Sequence, residues 1–159
     1  MGSSYISNHI HVVFSTKNRI RSIKEQMQPK LWAYMAGIAE NHSMHAVKIG
    51  GIEDHVHLLI NLGGELGIIK AVQLIKSNSS RWMNEHPGPP PQPTKIGSSG
   101  EPGPRFEWQE GYFACSVSRS QVARVTQYIA NQKEHHRKID SEEEFRVLLK
   151  KHGFEYHGD

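Results

Sequence analysis

Two histidines separated by one residue stand at the start of an apolar run, in residues 54–60 (DHVHLLI). The density of Val, Leu and Ile predicts a β-strand, in which alternate side chains point to the same face. His55 and His57 therefore share a face, and Val56 is directed into the core behind them. Two neighbouring imidazoles can bind one metal ion. The pattern alone is also typical of surface or hydrogen-bonded histidines, so a metal site depends on what else the chain supplies.

A second group of polar side chains lies in residues 128–136 (YIANQKEHH). Tyr128, Gln132 and His136 are four residues apart, so on a helix they follow one another along one face. Apolar residues at helical spacing form the adjoining stripe, which would hold this helix against a sheet. Taken alone, the pattern is that of an amphipathic surface helix, and its significance depends on the histidine pair.

The elements that must position these residues follow the order β-α-β-β-α-β and then two further helices. This is the split β-α-β order of ferredoxin-like domains, an α+β fold with an antiparallel sheet, helices on one face and an added C-terminal helix that bears Tyr128. The predicted strands cover residues 5–14, 45–49, 55–62 and 106–117. The predicted helices cover residues 24–42, 65–84, 118–138 (with Ser118 or Ser120 as its cap) and 142–152.

The composition bounds the class of protein. A chain of 159 residues is enough for one domain with a core, so residues 1–159 are read as a single domain. Residues 87–104 hold seven of the eight prolines and are interpreted as a mobile insert. No apolar run is long enough to span a membrane, the N-terminus lacks a secretion signal, and one cysteine fits a reducing cytoplasm. A net charge of +3 leans mildly towards a polyanionic partner.

Five short motifs in this order resemble the HUH-type, single-tyrosine transposases of the insertion-sequence 200/605 type and their relatives that act on repetitive extragenic palindromes. Each motif is weak alone, but together they cover nearly the whole chain except the Pro-rich insert. The motifs are STKNR at 15–19, DHVHLL at 54–59, WQxGY at 108–112, SVS at 116–118 and YIxNQxxHH at 128–136.

The resemblance implies a cytoplasmic transposase that cleaves and rejoins single-stranded DNA near a hairpin. His55 and His57 would be the metal-binding pair, Gln132 the third protein ligand of Mg²⁺ or Mn²⁺, and Tyr128 the nucleophile. Attack by Tyr128 would leave a 5′-phosphotyrosine bond and a free 3′-OH. The resemblance also implies a homodimer, in which the tyrosine helix can complete the partner's site; the sequence does not decide between docking in cis and in trans.

The physical chemistry of these residue types agrees with those roles. A tyrosine phenol has a pKa of about 10 and must be activated to attack near neutral pH. A divalent ion can polarise the scissile phosphate and spread its charge. Two imidazoles and an amide form an uncharged, weak site, so we expect poor metal retention without DNA. A stable zinc site would need a third strong ligand, which His135 or His136 would supply only if the helix ran differently.

Basic and small polar residues that suit phosphate contacts occur after the first strand and along the second helix. For each of them an ordinary solvated surface is an equally good interpretation. The candidate DNA-binding residues are Lys17, Asn18, Arg19, Arg21, Lys70, Lys76 and Arg81.

Two other functions compete with strand transfer. A non-catalytic, domesticated hairpin-binding module would have the same fold but no need for His55, His57, Tyr128 and Gln132 together. A small metallohydrolase that uses the two histidines would need a persistently bound metal and would leave no covalent protein–DNA adduct.

Overall fold

A four-stranded antiparallel sheet forms the centre of the computed structural model, which describes residues 2–86 and 105–157. Its strands are β1 (His9–Ser15), β2 (His45–Ile52), β3 (His55–Asn61) and β4 (Phe113–Val117), in the spatial order β2-β3-β1-β4. The α+β fold and its split β-α-β order are confirmed. The Pro-rich insert predicted at 87–104 lies outside the described residues.

Helices cover both faces of this sheet. The helices are α1 (Gln28–Asn41), α2 (Ile68–Glu85), α3 (Val122–Ala130), α4 (Gln132–His135) and α5 (Ser141–Lys151). The larger core lies between one face and α1 and α2, and Val56, Leu58 and Ile60 of β3 point into it. The alternate residues of β3 point to the opposite face, where α3 packs through Ile129. This alternation places the two histidines of β3 under the tyrosine helix.

None of the helices described here is long and apolar enough to cross a membrane.

The first strand begins at His9 and not at residue 5, α1 begins at Gln28 and not at residue 24, β2 extends to Ile52, and two further predicted elements differ more in extent. The helix expected over 118–138 is interrupted: α3 ends at Ala130 and α4 begins at Gln132, because Asn131 has φ −95° and ψ 18°. Asparagine has a modest helix propensity, and here its side chain accepts a hydrogen bond from Gln127. The strand expected over 106–117 is regular only in β4, and Trp108 makes an isolated bridge to Thr16.

Gly50 of β2 sets the distance at which α3 docks. It is the register partner of His57, and a Cβ built on it would lie 2.7 Å from the backbone oxygen of Ile129. No real Cβ approaches a backbone oxygen so closely, so only glycine lets the tyrosine helix approach β2 at this position.

We expect Gly50→Ala to lower the free energy of unfolding by about 1–3 kcal/mol, because the added methyl group must push α3 away from β2. Chemical denaturation followed by circular dichroism measures this effect. Gly37→Ala is the matched control, since no heavy atom lies within 4 Å of a Cβ there and alanine favours the helix by about 0.5–1 kcal/mol. Equal unfolding energies for Gly50→Ala and the unaltered protein would contradict the proposed constraint.

Candidate metal and tyrosine site

His55 and His57 lie side by side on β3, and their ring centroids are 5.1 Å apart. Both are almost fully buried, with 2% and 0% of their surface exposed. Pairing of β3 with β1 fixes them, since His57 lies opposite Val13 and His55 lies opposite Ser15. The shared face expected from strand alternation is therefore observed, and burial excludes the surface form of the alternative interpretation but not its hydrogen-bonded form.

A buried carboxylate and a hydroxyl orient the ring of His55. Its Nδ1 lies 2.8 Å from Asp54 Oδ1, which also accepts a hydrogen bond of 2.7 Å from Ser141 Oγ. Its Nε2 points to Gln132 Oε1 at 2.9 Å and to Glu144 Oε1 at 3.3 Å. Burial alone would lower the pKa of His55, but the hydrogen bonds to Asp54 and Glu144 outweigh it and raise the pKa to about 9.

Tyr128 and Gln132 reach the histidines from α3 and α4 of the same chain. The Tyr128 ring meets the His57 ring edge-on, with centroids 5.5 Å apart. Gln132 is 1% exposed, and its amide nitrogen donates to Glu144 Oε2 at 3.2 Å. The structure thus brings together all four residues for which the sequence predicted catalytic or metal-binding roles.

Glu144 is the residue that the sequence analysis missed, although it lies at the centre of the site. It is 3% exposed, and its two carboxylate oxygens contact both β3 histidines, Gln132 and the hydroxyl of Tyr128. Burial would raise the pKa of this carboxyl, but hydrogen bonds from His136, His55 and His57 lower it far below its usual range. Glu144 is therefore a charged carboxylate surrounded by donors.

The first turn of α5 places that carboxylate. Asp140 caps the helix, since its side chain accepts a hydrogen bond of 2.8 Å from the backbone N–H of Glu143. Ser141 and Glu144 are three residues apart, so they share the buried face of this turn, while Glu142 and Glu143 are exposed. The sequence gives only a weak indication of which glutamate is buried, because the three consecutive glutamates differ only in the face of the helix on which they lie.

Two neighbouring histidines that follow the break at Asn131 both reach Glu144. Nε2 of His135 lies 3.0 Å from Glu144 Oε2, and Nε2 of His136 lies 3.3 Å from the same oxygen. His136 also donates from Nδ1 to the carbonyl of Ile139 at 2.8 Å. Both residues follow that break and keep helical backbone hydrogen bonds to Asn131 and Gln132, so two consecutive histidines reach the same carboxylate.

One ligand atom from each of His55, His57 and Glu144 could bind a common metal ion, because these atoms all lie within 4.8 Å of one another. Imidazole nitrogens and a carboxylate oxygen suit a divalent transition metal, and Gln132 Oε1 offers a further oxygen. The donor set includes a negative charge that the two histidines and the amide lacked. Its chemistry therefore fits Mn²⁺ or Mg²⁺ better than the set expected from sequence.

The phenol of Tyr128 is held as a neutral hydrogen-bond donor. Its hydroxyl donates to Glu144 Oε2 at 2.5 Å. Burial and the charge of Glu144 raise the pKa of Tyr128 well above its usual range. Attack by this oxygen therefore requires that positive charge offset the carboxylate.

The candidate DNA-binding residues after β1 lie at the edge of this site. Ser15 pairs with His55, and the backbone N–H of Thr16 donates to the carbonyl of Asp54 at 2.9 Å. The Arg19 guanidinium lies 5.8 Å from the centre of the Phe145 ring on α5. The four predicted residues of this segment are Lys17, Asn18, Arg19 and Arg21, and Lys17 forms an exposed ion pair of 3.0 Å with Glu107.

The candidate DNA-binding residues of α2 belong to a helix on the opposite face of the sheet. Lys76 Nζ donates to the backbone carbonyls of Gln109, Glu110 and Gly111 at 2.5, 2.9 and 3.3 Å. Burial lowers its pKa. The ammonium group thus holds the loop before β4, whereas Lys70 is exposed and Arg81 donates to Asn78 Oδ1.

We expect Lys76→Met to lower the free energy of unfolding by about 1–3 kcal/mol, because three carbonyls lose their charged donor. The salt dependence of DNA binding should stay unchanged. Lys70→Met is the matched control, and its free energy of unfolding should change by less than about 0.5 kcal/mol. If Lys70 contacts a DNA phosphate, the slope of log K against log salt concentration should be smaller by about one in this variant. Denaturation and salt-dependent fluorescence anisotropy measure the two effects. A reduced salt slope with unchanged stability for Lys76→Met would reverse this assignment.

Comparison with known proteins agrees with the resemblance seen in the sequence. The family model described as "Transposase IS200 like" matches residues 4–132, so the chain belongs to the IS200-like transposase family. No curated protein matches the chain. The match ends at Gln132, and therefore Ser141 and Glu144 of α5 lie beyond the residues that the family model covers.

Two solved structures have a similar fold. One is a transposase candidate from Deinococcus radiodurans R1, with a TM-score of 0.56 and 23% identity over 83% of this chain and 96% of that one. The other is a REP-associated tyrosine transposase bound to a REP hairpin, with a TM-score of 0.57 and 14% identity over 86% of this chain and 73% of that one.

Proposed function

We propose that this chain is a metal-dependent DNA transposase that cleaves and rejoins single-stranded DNA near hairpins through a covalent bond to Tyr128. The observation that carries the proposal is the convergence of Tyr128, His55, His57 and Gln132 on one buried carboxylate, in a member of the IS200-like transposase family. The relative that was solved with a REP hairpin supports hairpin DNA as the substrate.

His55, His57 and Glu144 would hold Mg²⁺ or Mn²⁺, with Gln132 as a further oxygen ligand. Such an ion supplies positive charge that polarises the scissile phosphate and offsets Glu144. Because Glu144 adds a buried negative charge to the donor set, we expect the protein to retain the ion more strongly without DNA than two imidazoles and an amide would.

The chain's own groups carry out the exchange of bonds. Tyr128 Oη attacks the phosphorus, so that an O–P bond forms while the bond from phosphorus to the 3′ oxygen breaks. The phenol proton must pass to the departing 3′ oxygen, and Glu144, which already accepts the hydrogen bond of the phenol, would relay it; because its pKa lies far below its usual range, Glu144 would hold that proton only in passage. The 5′-phosphotyrosine conserves the energy of the broken phosphodiester. A second 3′-OH can therefore displace Tyr128 and restore a continuous strand without ATP.

We propose that Tyr128 acts in cis, since one chain contains the histidine pair and the tyrosine within one site. A homodimer remains our expectation from the family resemblance, and it would then not be needed to complete the site. Light scattering of the purified protein measures the oligomeric state. Residues 1–159 would form one catalytic domain, acting in the cytoplasm on single-stranded DNA with a hairpin.

The experiment that tests this function is a denaturing gel with labelled single-stranded DNA from the flanks of the gene. We expect a heat-stable protein–DNA adduct with Mn²⁺ or Mg²⁺ and none with EDTA. Tight hairpin binding without an adduct in either metal would favour the non-catalytic binding module. DNA hydrolysis without an adduct, by protein that keeps a bound metal through dialysis, would favour the metallohydrolase.

A further inference from the structure

His11 of β1 is a buried histidine to which the proposed reaction assigns no role. Its Nε2 lies 2.9 Å from Nδ1 of His57, and the two rings stack with centroids 5.2 Å apart and planes inclined by 28°. His11 is 5% exposed and His57 is fully buried. The remaining ring nitrogen of His57 is the one that faces Glu144, so His11 contacts a candidate metal ligand from its far side.

The contacts of His57 fix where its proton lies in the absence of a metal ion. Nε2 is 2.8 Å from Glu144 Oε1, and an ionised carboxylate only accepts hydrogen bonds. Nε2 of His57 therefore carries the proton. In a neutral imidazole Nδ1 is then bare, so the hydrogen bond between the rings must be donated by Nε2 of His11.

Metal binding requires the opposite arrangement. A metal ion binds an imidazole through a bare nitrogen, so Nε2 of His57 must lose its proton and Nδ1 must gain one. The hydrogen bond to His11 then reverses, with His57 Nδ1 donating and His11 Nε2 accepting. One proton crosses from His11 to His57, His57 releases one from Nε2, and His11 takes one up at Nδ1. The pair holds two exchangeable ring protons before and after.

We propose that His11 is a positioning residue that lets His57 change tautomer, because its imidazole can donate to Nδ1 of His57 without metal and accept from it with metal. This inference rests on the metal site of the proposed function. Outer partners of this kind typically contribute about 10- to 100-fold to metal affinity. A side chain that can neither donate nor accept would leave the buried Nδ1 proton of metal-bound His57 without a partner.

The test is an Mn²⁺ titration of the DNA-free protein followed by electron paramagnetic resonance, with folding checked by circular dichroism. We expect His11→Leu to raise the Kd by about 10- to 100-fold. His11→Gln should keep most of the affinity, since an amide both donates and accepts. His9→Gln is the control, because residue 9 lies on the same strand and the same face but contacts Ser7 instead.

Nitrogen-15 NMR of the unaltered protein gives a second measurement that does not depend on any variant. His57 should carry its proton on Nε2 without metal and on Nδ1 with Mg²⁺. Equal losses of Mn²⁺ affinity for His11→Leu and His11→Gln, or the same His57 tautomer in both states, would overturn the role of His11 and leave the metal site intact. Absence of Mn²⁺ binding by the unaltered protein would overturn the site itself and this role with it.

Discussion

Tyr128→Phe is expected to abolish the covalent protein–DNA adduct and to leave hairpin binding intact. The substitution removes only the oxygen that would bond to phosphorus. The ring keeps its edge contacts with His57 and His135, at 5.5 and 5.4 Å between centroids. Glu144 keeps hydrogen bonds from Gln132 and His57. The lost hydrogen bond should therefore change the free energy of unfolding by about 0.5–1.5 kcal/mol at most.

The measurement is the denaturing gel with labelled DNA, run beside an anisotropy titration of the same hairpin. Tyr34→Phe is the matched control, because Tyr34 stacks on Trp82 on the other face of the sheet. An adduct that persists in Tyr128→Phe would assign the nucleophile to another residue. Loss of hairpin binding together with the adduct would indicate that Tyr128 contributes to DNA recognition.

Glu144→Gln is expected to weaken Mn²⁺ binding without DNA by at least about 10-fold, because the donor set loses its only negative charge at nearly constant shape. Adduct formation should fall by about 10²- to 10⁴-fold, since the amide cannot relay the proton of Tyr128 to the leaving oxygen. Folding should survive, because His55 retains Asp54 as its partner. Mn²⁺ titration and the initial rate of adduct formation measure the two effects.

Glu143→Gln is the control for this experiment, since residue 143 is exposed on the same turn of α5. Both the Kd for Mn²⁺ and the rate should match the unaltered protein. Faster adduct formation by Glu144→Gln would contradict the roles of Glu144 as metal ligand and proton relay. It would mean that the carboxylate occupies the position needed by the scissile phosphate.

Local periodicity was enough to predict the parts of the site that share one element. Strand alternation put His55 and His57 on one face, and helical spacing brought Tyr128 and Gln132 together. The order of the elements gave the sheet topology, because split β-α-β connections leave few alternatives. In each of these cases the interacting residues are near in sequence or joined by a common topology.

The contacts that were not predicted join distant parts of the chain. Glu144 is 87 residues from His57, and His11 is 46 residues away on another strand. No repeat or spacing connects such positions; only packing does. Lys76 is a further example. The helix pattern predicts that its ammonium group faces solvent, but the group donates to backbone carbonyls of a loop 33 to 35 residues later.

The close approach at Gly50 bears on how far the nucleophile must reach. The tyrosine helix rests against β2 through its backbone, so the spacing between the helix axis and the sheet is fixed at a residue without a side chain. The tyrosine side chain has no long flexible chain, so it could not reach the phosphate if the helix lay farther from the sheet. Displacement of a reacting group by about 1 Å can cost about 100-fold in rate. The distance from Tyr128 to a phosphate on the histidine face is therefore determined on β2, the edge strand that lies next to the histidine-bearing strand β3.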